Sequence, residues 1–421
     1  FNSTPGFILH NYQESIKKQV TQFLISRDKN KLMVQLPTGA GKTSLAMEAI
    51  YDFFRFESAD DLTVVWMAHT DELCEQAVQA FQRGWIQKGT FEVRILRVWG
   101  GHAAKLGDEL ALKKPTFAVT SFQSANSMIT TNSDDVIQNF IEFRKISKLI
   151  IVDEAHMTLA DTYQKSIDMF AGNNSKVVGL TATPGRHGIN QDETESDELA
   201  VYYEHNRINM NDFCEPLTPI EFLQKEGILS IINRRRLVTN YQIELSPSDK
   251  LRIANNLSIS DKTMMQIGEN VERNMLIIDQ IQKAIELEKI NKILVFASSK
   301  DNSDLLAALL SLRNIKAKSI TGETEFTERM NAVRDFKNND FSVLINFNVF
   351  TTGFDDPGID CIFVARPTFS VVLYSQMIGR GLRGPKNGGT KHCLVVDMED
   401  NVINQPDIEI AGDFFDNNWN I

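Results

Sequence analysis

Cysteine is scarce: four in 421 residues (Cys74, Cys214, Cys361, Cys393), far apart and with no CxxC pair. Neither a disulfide framework nor a zinc ribbon organises such a chain, so we read them as reduced core thiols of a cytoplasmic protein. Positive charge is also short. Lys and Arg number 44 against 55 Asp and Glu, a formal net charge of -11. That argues against a protein that grips nucleic acid by bulk charge, while leaving room for a local basic groove. No apolar run is long enough to span a bilayer and no signal peptide opens the sequence, so no membrane partner is expected. No cluster of Asp, Glu and Lys has nuclease character; strand cleavage would need a nuclease or other partner subunit. The first residue is Phe1 rather than Met, so we expect a chain trimmed at its start. What is present is ordinary globular composition, 42% hydrophobic, in a length that suggests two to three domains.

Short apolar runs alternate with amphipathic stretches through both halves. The first half offers "LMVQL" (32–36), "LTVVWMA" (62–68), "VRILRVW" (93–99), "TFAVT" (116–120), "KLIIVD" (148–153) and "KVVGLT" (176–181) as strands. The second offers "KILVFAS" (292–298), "KAKSI" (316–320), "FSVLINF" (341–347), "DCIFVA" (360–365) and "HCLVVD" (392–397). Continuous Val/Ile/Leu runs separated by helical patterns predict α/β domains, each a parallel sheet covered on both faces. We therefore expect one lobe over 1–200 and a second over 291–399. Between them, 201–290 reads as a connector, and 400–421 as an acidic extension. The acidic stretch "GINQDETESDELA" (188–200) reads as a solvated loop.

Three stretches carry chemistry. "LPTGAGKT" (36–43) follows a strand and opens a helix, as a P-loop must, although Leu36 stands where GxxxxGK[ST] has its first glycine. Thr38, Gly39 and Gly41 would turn backbone N–H groups toward the phosphates of ATP. Lys42 would reach the β- and γ-phosphates, and Thr43 would hold Mg²⁺. "LIIVDEAH" (149–156) ends a buried strand in two carboxylates, a costly placement unless a cation or a proton transfer satisfies them. Asp153 would bind Mg²⁺, and Glu154 would orient and deprotonate the attacking water. In "SQMIGRGLRG" (375–384), a helix would set Gln376, Arg380 and Arg383 on one face, at offsets of zero, four and seven. Gly379 and Gly381 fall in the same turns at a cost of about 1 kcal/mol each against Ala, a combination that a segment meant only for packing would not carry.

Read with "TATP" (181–184), these motifs resemble the DEAD/DEAH-type superfamily 2 helicases, over nearly the whole chain. "TTGFD" followed by "RPTFSVVLYSQMIGRGLR" looks most like the RadD and XPB branch, related to restriction-enzyme motor subunits. The resemblance implies two tandem RecA-like domains with ATP in the cleft between them. "LHNYQESI" is similar to the adenine-recognising segment, which makes Gln13 the base reader, with His10 where the family has Arg. It makes Arg380 and Arg383 arginine fingers, brings Gln376 to the nucleotide or its water, and assigns Gly353 and Asp355 to the nucleotide. Thr70, Thr120, Gly322 and Thr351 become contacts to a nucleic-acid backbone. The implied activity is an ATP-driven motor on duplex or branched DNA; an RNA helicase and a nucleotide-gated switch without translocation are the alternatives.

Overall fold

Strands built from β-branched and aliphatic residues need cover on both faces, and the chain provides it twice. The structure, a computed structural model, describes residues 9–57, 62–100, 114–130, 134–182, 193–243, 245–254, 259–349, 354, 356–368 and 371–402. These form two compact units, which divide in sequence at Pro219.

In the first unit the strands are β1 (Lys31–Gln35), β2 (Thr63–Ala68), β3 (Arg94–Val98), β4 (Thr116–Ser121), β5 (Ser147–Asp153), β6 (Lys176–Thr181) and β7 (Arg207–Ile208). Their order is β3-β4-β2-β5-β6-β1-β7, and every pairing is parallel. All six residues of central β2 are buried, Trp66 among them, as expected of a strand covered on both sides. One face carries a core of Val65, Met67, Ile150 and Val152 under Phe122, Phe143 and Phe170 from three helices. The edges are blunted: β7 has two residues, and β3 carries Arg97, which pairs with Glu75 at 3.1 Å. All six expected strands form, within two residues of their expected ends. Part of the expected loop 188–200 is instead the start of a helix, Glu193–Tyr202, seated by buried Leu199 and Tyr202.

The second unit contains β8 (Ile231–Ile243), β9 (Ile293–Phe296), β10 (Ala317–Ile320), β11 (Val343–Asn346), β12 (Cys361–Val364) and β13 (His392–Val402). Their order is β10-β11-β9-β12-β13-β8, again all parallel. Here the structure corrects the expected connector. Residues 201–290 are shared out: β7 joins the first sheet, β8 borders the second, and the helix Val271–Glu286 buries Ile277, Ile278 and Ile281 in the second core. β8 escaped notice because Arg234, Arg235 and Arg236 interrupt its apolar pattern. Arg234 bonds Asp397 and Arg235 bonds Glu288. A smaller cluster (Ile243, Leu245, Ile253, Ile259, Met264, Ile267) follows β8. Of the expected acidic extension 400–421, β13 accounts for residues to Val402, and the rest lies outside the described residues.

Candidate nucleotide-binding site

Three adjacent strands of the first unit, β1, β6 and β5, end side by side. Gln35 pairs with Thr181, Asp153 pairs with Leu180, and the Leu36 amide donates to the Thr181 carbonyl at 3.0 Å. The phosphate-loop sequence, the Asp-Glu pair and "TATP" therefore start from one sheet edge, the C-terminal edge at which parallel α/β sheets bind ligands. Of "TATP", Thr183 and Pro184 lie outside the described residues.

After β1, Gly39 and Gly41 take φ of +82° and +81°, values that favour glycine. Lys42 and exposed Thr43 open the helix Lys42–Glu57, and the Lys42 ammonium reaches the Leu36 carbonyl at 3.4 Å. Gln13 is buried, and its Oε1 accepts from the His10 backbone N–H at 2.8 Å. Its Nε2 lies so close to Gly41 that a Cβ there would stand 2.4 Å away. Gln13 and the glycine loop are thus packed together. The ring of His10 stacks on Tyr12, centroids 6.0 Å apart.

Asp153 ends β5, and its Oδ1 accepts from the Glu154 amide at 3.1 Å. Glu154 has φ 55° and ψ 53°, a left-handed conformation that costs a non-glycine residue about 1–2 kcal/mol. Buried His156 sits behind it, with Nδ1 3.4 Å from Glu154 Oε2 and 3.3 Å from Thr181 Oγ1. A single imidazole thus joins the carboxylate to the end of β6, a link that sequence reading did not anticipate. On the other side lies His69, hydrogen-bonded through Nδ1 to the Tyr163 hydroxyl. Burial lowers the His69 imidazole pKa, and the Glu154 charge partly offsets this.

Of the expected strand contacts, Thr70 caps the helix Asp71–Lys88, its hydroxyl accepting from the Leu73 amide at 3.3 Å. Gly322 lies exposed in the turn after β10, in open space. Thr120 is a correction. It is fully buried in β4, and its hydroxyl donates to the Val98 carbonyl at 2.8 Å, so it cannot reach a strand from there. Thr351, Gly353 and Asp355 lie outside the described residues.

In the second unit the arginine segment is not one helix. The helix Val371–Ile378 carries half-buried Gln376, then gives way to a single 3₁₀ turn, Gly379–Gly381. A Cβ on Gly381 would meet Cys393 Sγ at 2.5 Å and Ile362 at 2.8 Å. Close packing on β12 and β13 thus sets the glycine and ends the helix. Arg380 donates to the Phe354 carbonyl at 2.7 Å. Arg383 lies beyond the turn, in an antiparallel bridge with Leu229. It therefore does not share a helical face with Gln376.

Residues 227–230, unmarked in the sequence, clasp this segment. The Ser230 hydroxyl donates to the Arg383 and Thr390 carbonyls at 2.8 and 2.7 Å. The Gly384 amide donates to Ile228 O at 2.9 Å and the Ser230 amide to Leu382 O at 3.1 Å. Below, buried Asp397 accepts from Tyr374 Oη and from Arg234 Nε, both at 2.7 Å. Tyr374 lies two residues before Gln376, so the carboxylate anchors the helix that leads to both arginines. Burial raises the Asp397 carboxyl pKa, while Arg234 and Tyr374 oppose the shift.

Each half of the chain is similar to a known family. Residues 6–186 match the family described as "Type III restriction enzyme, res subunit", and residues 276–384 the "Helicase conserved C-terminal domain". A putative ATP-dependent helicase, IRC3, of Saccharomyces cerevisiae is 29% identical over 59% of this chain and 34% of its own length. A putative mitochondrial ATP-dependent helicase, irc3, of Schizosaccharomyces pombe is 26% identical over 89% of this chain and 54% of its own. The chain thus spans about a third to a half of these relatives. Among solved structures, Dbp5 of S. cerevisiae bound to RNA and ADP BeF3 superposes with a TM-score of 0.57 at 12% identity, covering 98% of this chain and 92% of that one. The Pyrococcus furiosus Hef helicase domain gives 0.53 at 16% identity, covering 94% and 96%. At such identities the likeness speaks for the fold, two RecA-like domains in tandem.

Proposed function

We propose that the chain is a helicase of superfamily 2, similar to the res subunit of type III restriction enzymes, and an ATP-hydrolysing motor that moves on duplex or branched DNA. The observation that carries this reading is the alignment of three neighbouring strand ends, which brings a left-handed glycine loop, a Lys-Thr pair and an Asp-Glu pair to one sheet edge. With strands about 4.8 Å apart, β1 and β5 on either side of β6 lie roughly 10 Å apart, a span a nucleotide polyphosphate can bridge.

In this reading the loop amides and Lys42 hold the β- and γ-phosphates, with Gln13 against the loop to read the base. The Thr43 hydroxyl and the Asp153 carboxylate are hard oxygen donors of the kind that suits Mg²⁺, which when bound would neutralise phosphate charge. Glu154 orients a water for in-line attack and takes its proton; His156 holds it in its strained conformation. Arg380 and Arg383 supply positive charge as the γ-phosphoryl group departs, a contribution worth about 10³–10⁵ in rate where such fingers act. Thr70, Gly322 and Thr351 remain candidates for contacts to the strand backbone, which position without reading sequence. The match to a restriction-enzyme subunit is what favours DNA.

The test is the ATPase rate with single-stranded DNA, duplex DNA, forked DNA and RNA. Stimulation by duplex or forked DNA is expected. Stimulation by RNA alone would establish the RNA-helicase alternative, and stimulation by none would point to a nucleotide-gated switch.

A further inference from the structure

The first unit contains a cavity of about 500 Å³, distinct from the phosphate loop, lined among others by His69, Asp71, Glu72, Gln123, Asn126 and Tyr163. Its wall is a ladder of rings. Phe122 is buried in the core; Tyr163 stacks on it with centroids 4.1 Å apart; His69 stacks on Tyr163 at 5.9 Å and 21°. The hydrogen bond from Tyr163 fixes the plane of the imidazole. The ladder begins in the core and ends in an exposed ring.

The charge around that ring selects its occupant. Asp71 and Glu72 disfavour phosphate inside the cavity, yet their oxygens accept from amino and imino N–H groups. Gln123 and Asn126 can both donate and accept. An apolar plane, polar groups at its edge and negative walls suit a nucleobase and exclude its backbone. The position is also apt. β2 pairs with β5 at Met67↔Val152, so two residues further on His69 stands beside Glu154, and it adjoins Thr70, the candidate for holding the strand backbone.

Resting on the motor reading above, we propose that one base of the bound strand leaves its neighbours and seats on His69 as the next rung of the ladder. Base–aromatic stacking contributes about 1–3 kcal/mol per base, equivalent to roughly 5- to 160-fold in affinity.

The experiment compares the affinity of a thymidine oligonucleotide with that of an abasic strand of equal length, in the presence of a non-hydrolysable ATP analogue. The unmodified protein should bind the base-bearing strand at least about fivefold more tightly. His69→Ala should bring the two affinities together, and His69→Phe, which keeps an aromatic plane, should retain the difference. Equal affinities for the unmodified protein, or an unchanged ratio in His69→Ala, would overturn the proposal. Millimolar thymidine or adenosine should not compete; competition that removed the difference would make this a site for free nucleosides and sink the proposal. If neither strand bound, this proposal would fall, while the motor reading would stand or fall separately on ATPase stimulation by duplex or forked DNA.

Discussion

At Gly41, the left-handed backbone and the Gln13 carboxamide together exclude a side chain. Gly41→Ala is expected to weaken ATP binding about tenfold or more, from roughly 1–2 kcal/mol of backbone strain plus displacement of Gln13. In a Gln13→Ala background the same change should cost less, because part of the clash is gone; equilibrium titration of a fluorescent nucleotide measures both. Glu154→Gln keeps the shape and loses the base, so it should hold ATP with near-normal affinity while kcat drops by about 10²–10⁴. Rapid-quench kinetics showing unimpaired hydrolysis would remove Glu154 from its role. These residues stand out in the sequence because each proposed task restricts the residue type: a phosphate loop needs glycine at set positions, and a strand ending in paired carboxylates has few other uses. His69 was not legible, since a lone histidine carries no pattern until the fold places it. Thr120 misled for the converse reason, its hydroxyl being spent within the sheet.

At the scale of elements, buried strands announced themselves by apolar runs, whereas β8 did not. An edge strand with one open side can hold arginines, provided partners such as Asp397 and Glu288 receive them. The helical reading of the arginine segment failed at its glycines, where packing on β12 and β13 outweighed periodicity. Tyr374→Phe removes a side-chain bond to the buried Asp397 carboxylate. It should cost about 1–3 kcal/mol in urea unfolding and lower kcat more than ATP affinity, since the loosened helix leads to Arg380. The cluster after β8 makes a separate prediction about acid. Burial pushes the Asp249 carboxyl upward, but bonds from the Ser260 amide and the Ser246 and Thr263 hydroxyls outweigh it and hold it well below the usual carboxylate range. A depressed folded pKa gives stability that is complete above the unfolded value near 4 and is lost as pH falls below it. Hydrogen-exchange protection, measured relative to the unfolded-chain rate at each pH, should therefore begin to fall in the helices Pro247–Ala254 and Asp261–Glu269 below about pH 5 and keep falling as the pH drops further. Asp249→Asn should start less protected and respond less.

For the whole molecule, a net charge of -11 constrains how a nucleic acid would be held. Binding through many lysines and arginines would lose about 10³–10⁵ in affinity between 50 and 200 mM salt. Contacts through amides and hydroxyls predict a shallower loss here, measurable by fluorescence anisotropy. The motor is expected to displace the third strand of a triplex readily and to separate long forked duplexes weakly; efficient unaided unwinding would contradict the duplex-tracking reading. The two-lobe plan was legible at this scale because strand and helix alternate twice, while the dividing point was not, since nothing local says which sheet a strand will join. That last strand also sets an order of events during synthesis. Ile231 of β8 pairs with His392 of β13, about 160 residues later in the chain. The first unit can therefore close its sheet while the ribosome is still making the second. β8 must wait, its inner edge unpaired, until β13 has emerged. The return of β13 is then expected to be the slow step in making this protein, and the charges of Arg234–Arg236, two of which Asp397 and Glu288 later receive, disfavour pairing of the waiting strand with another chain.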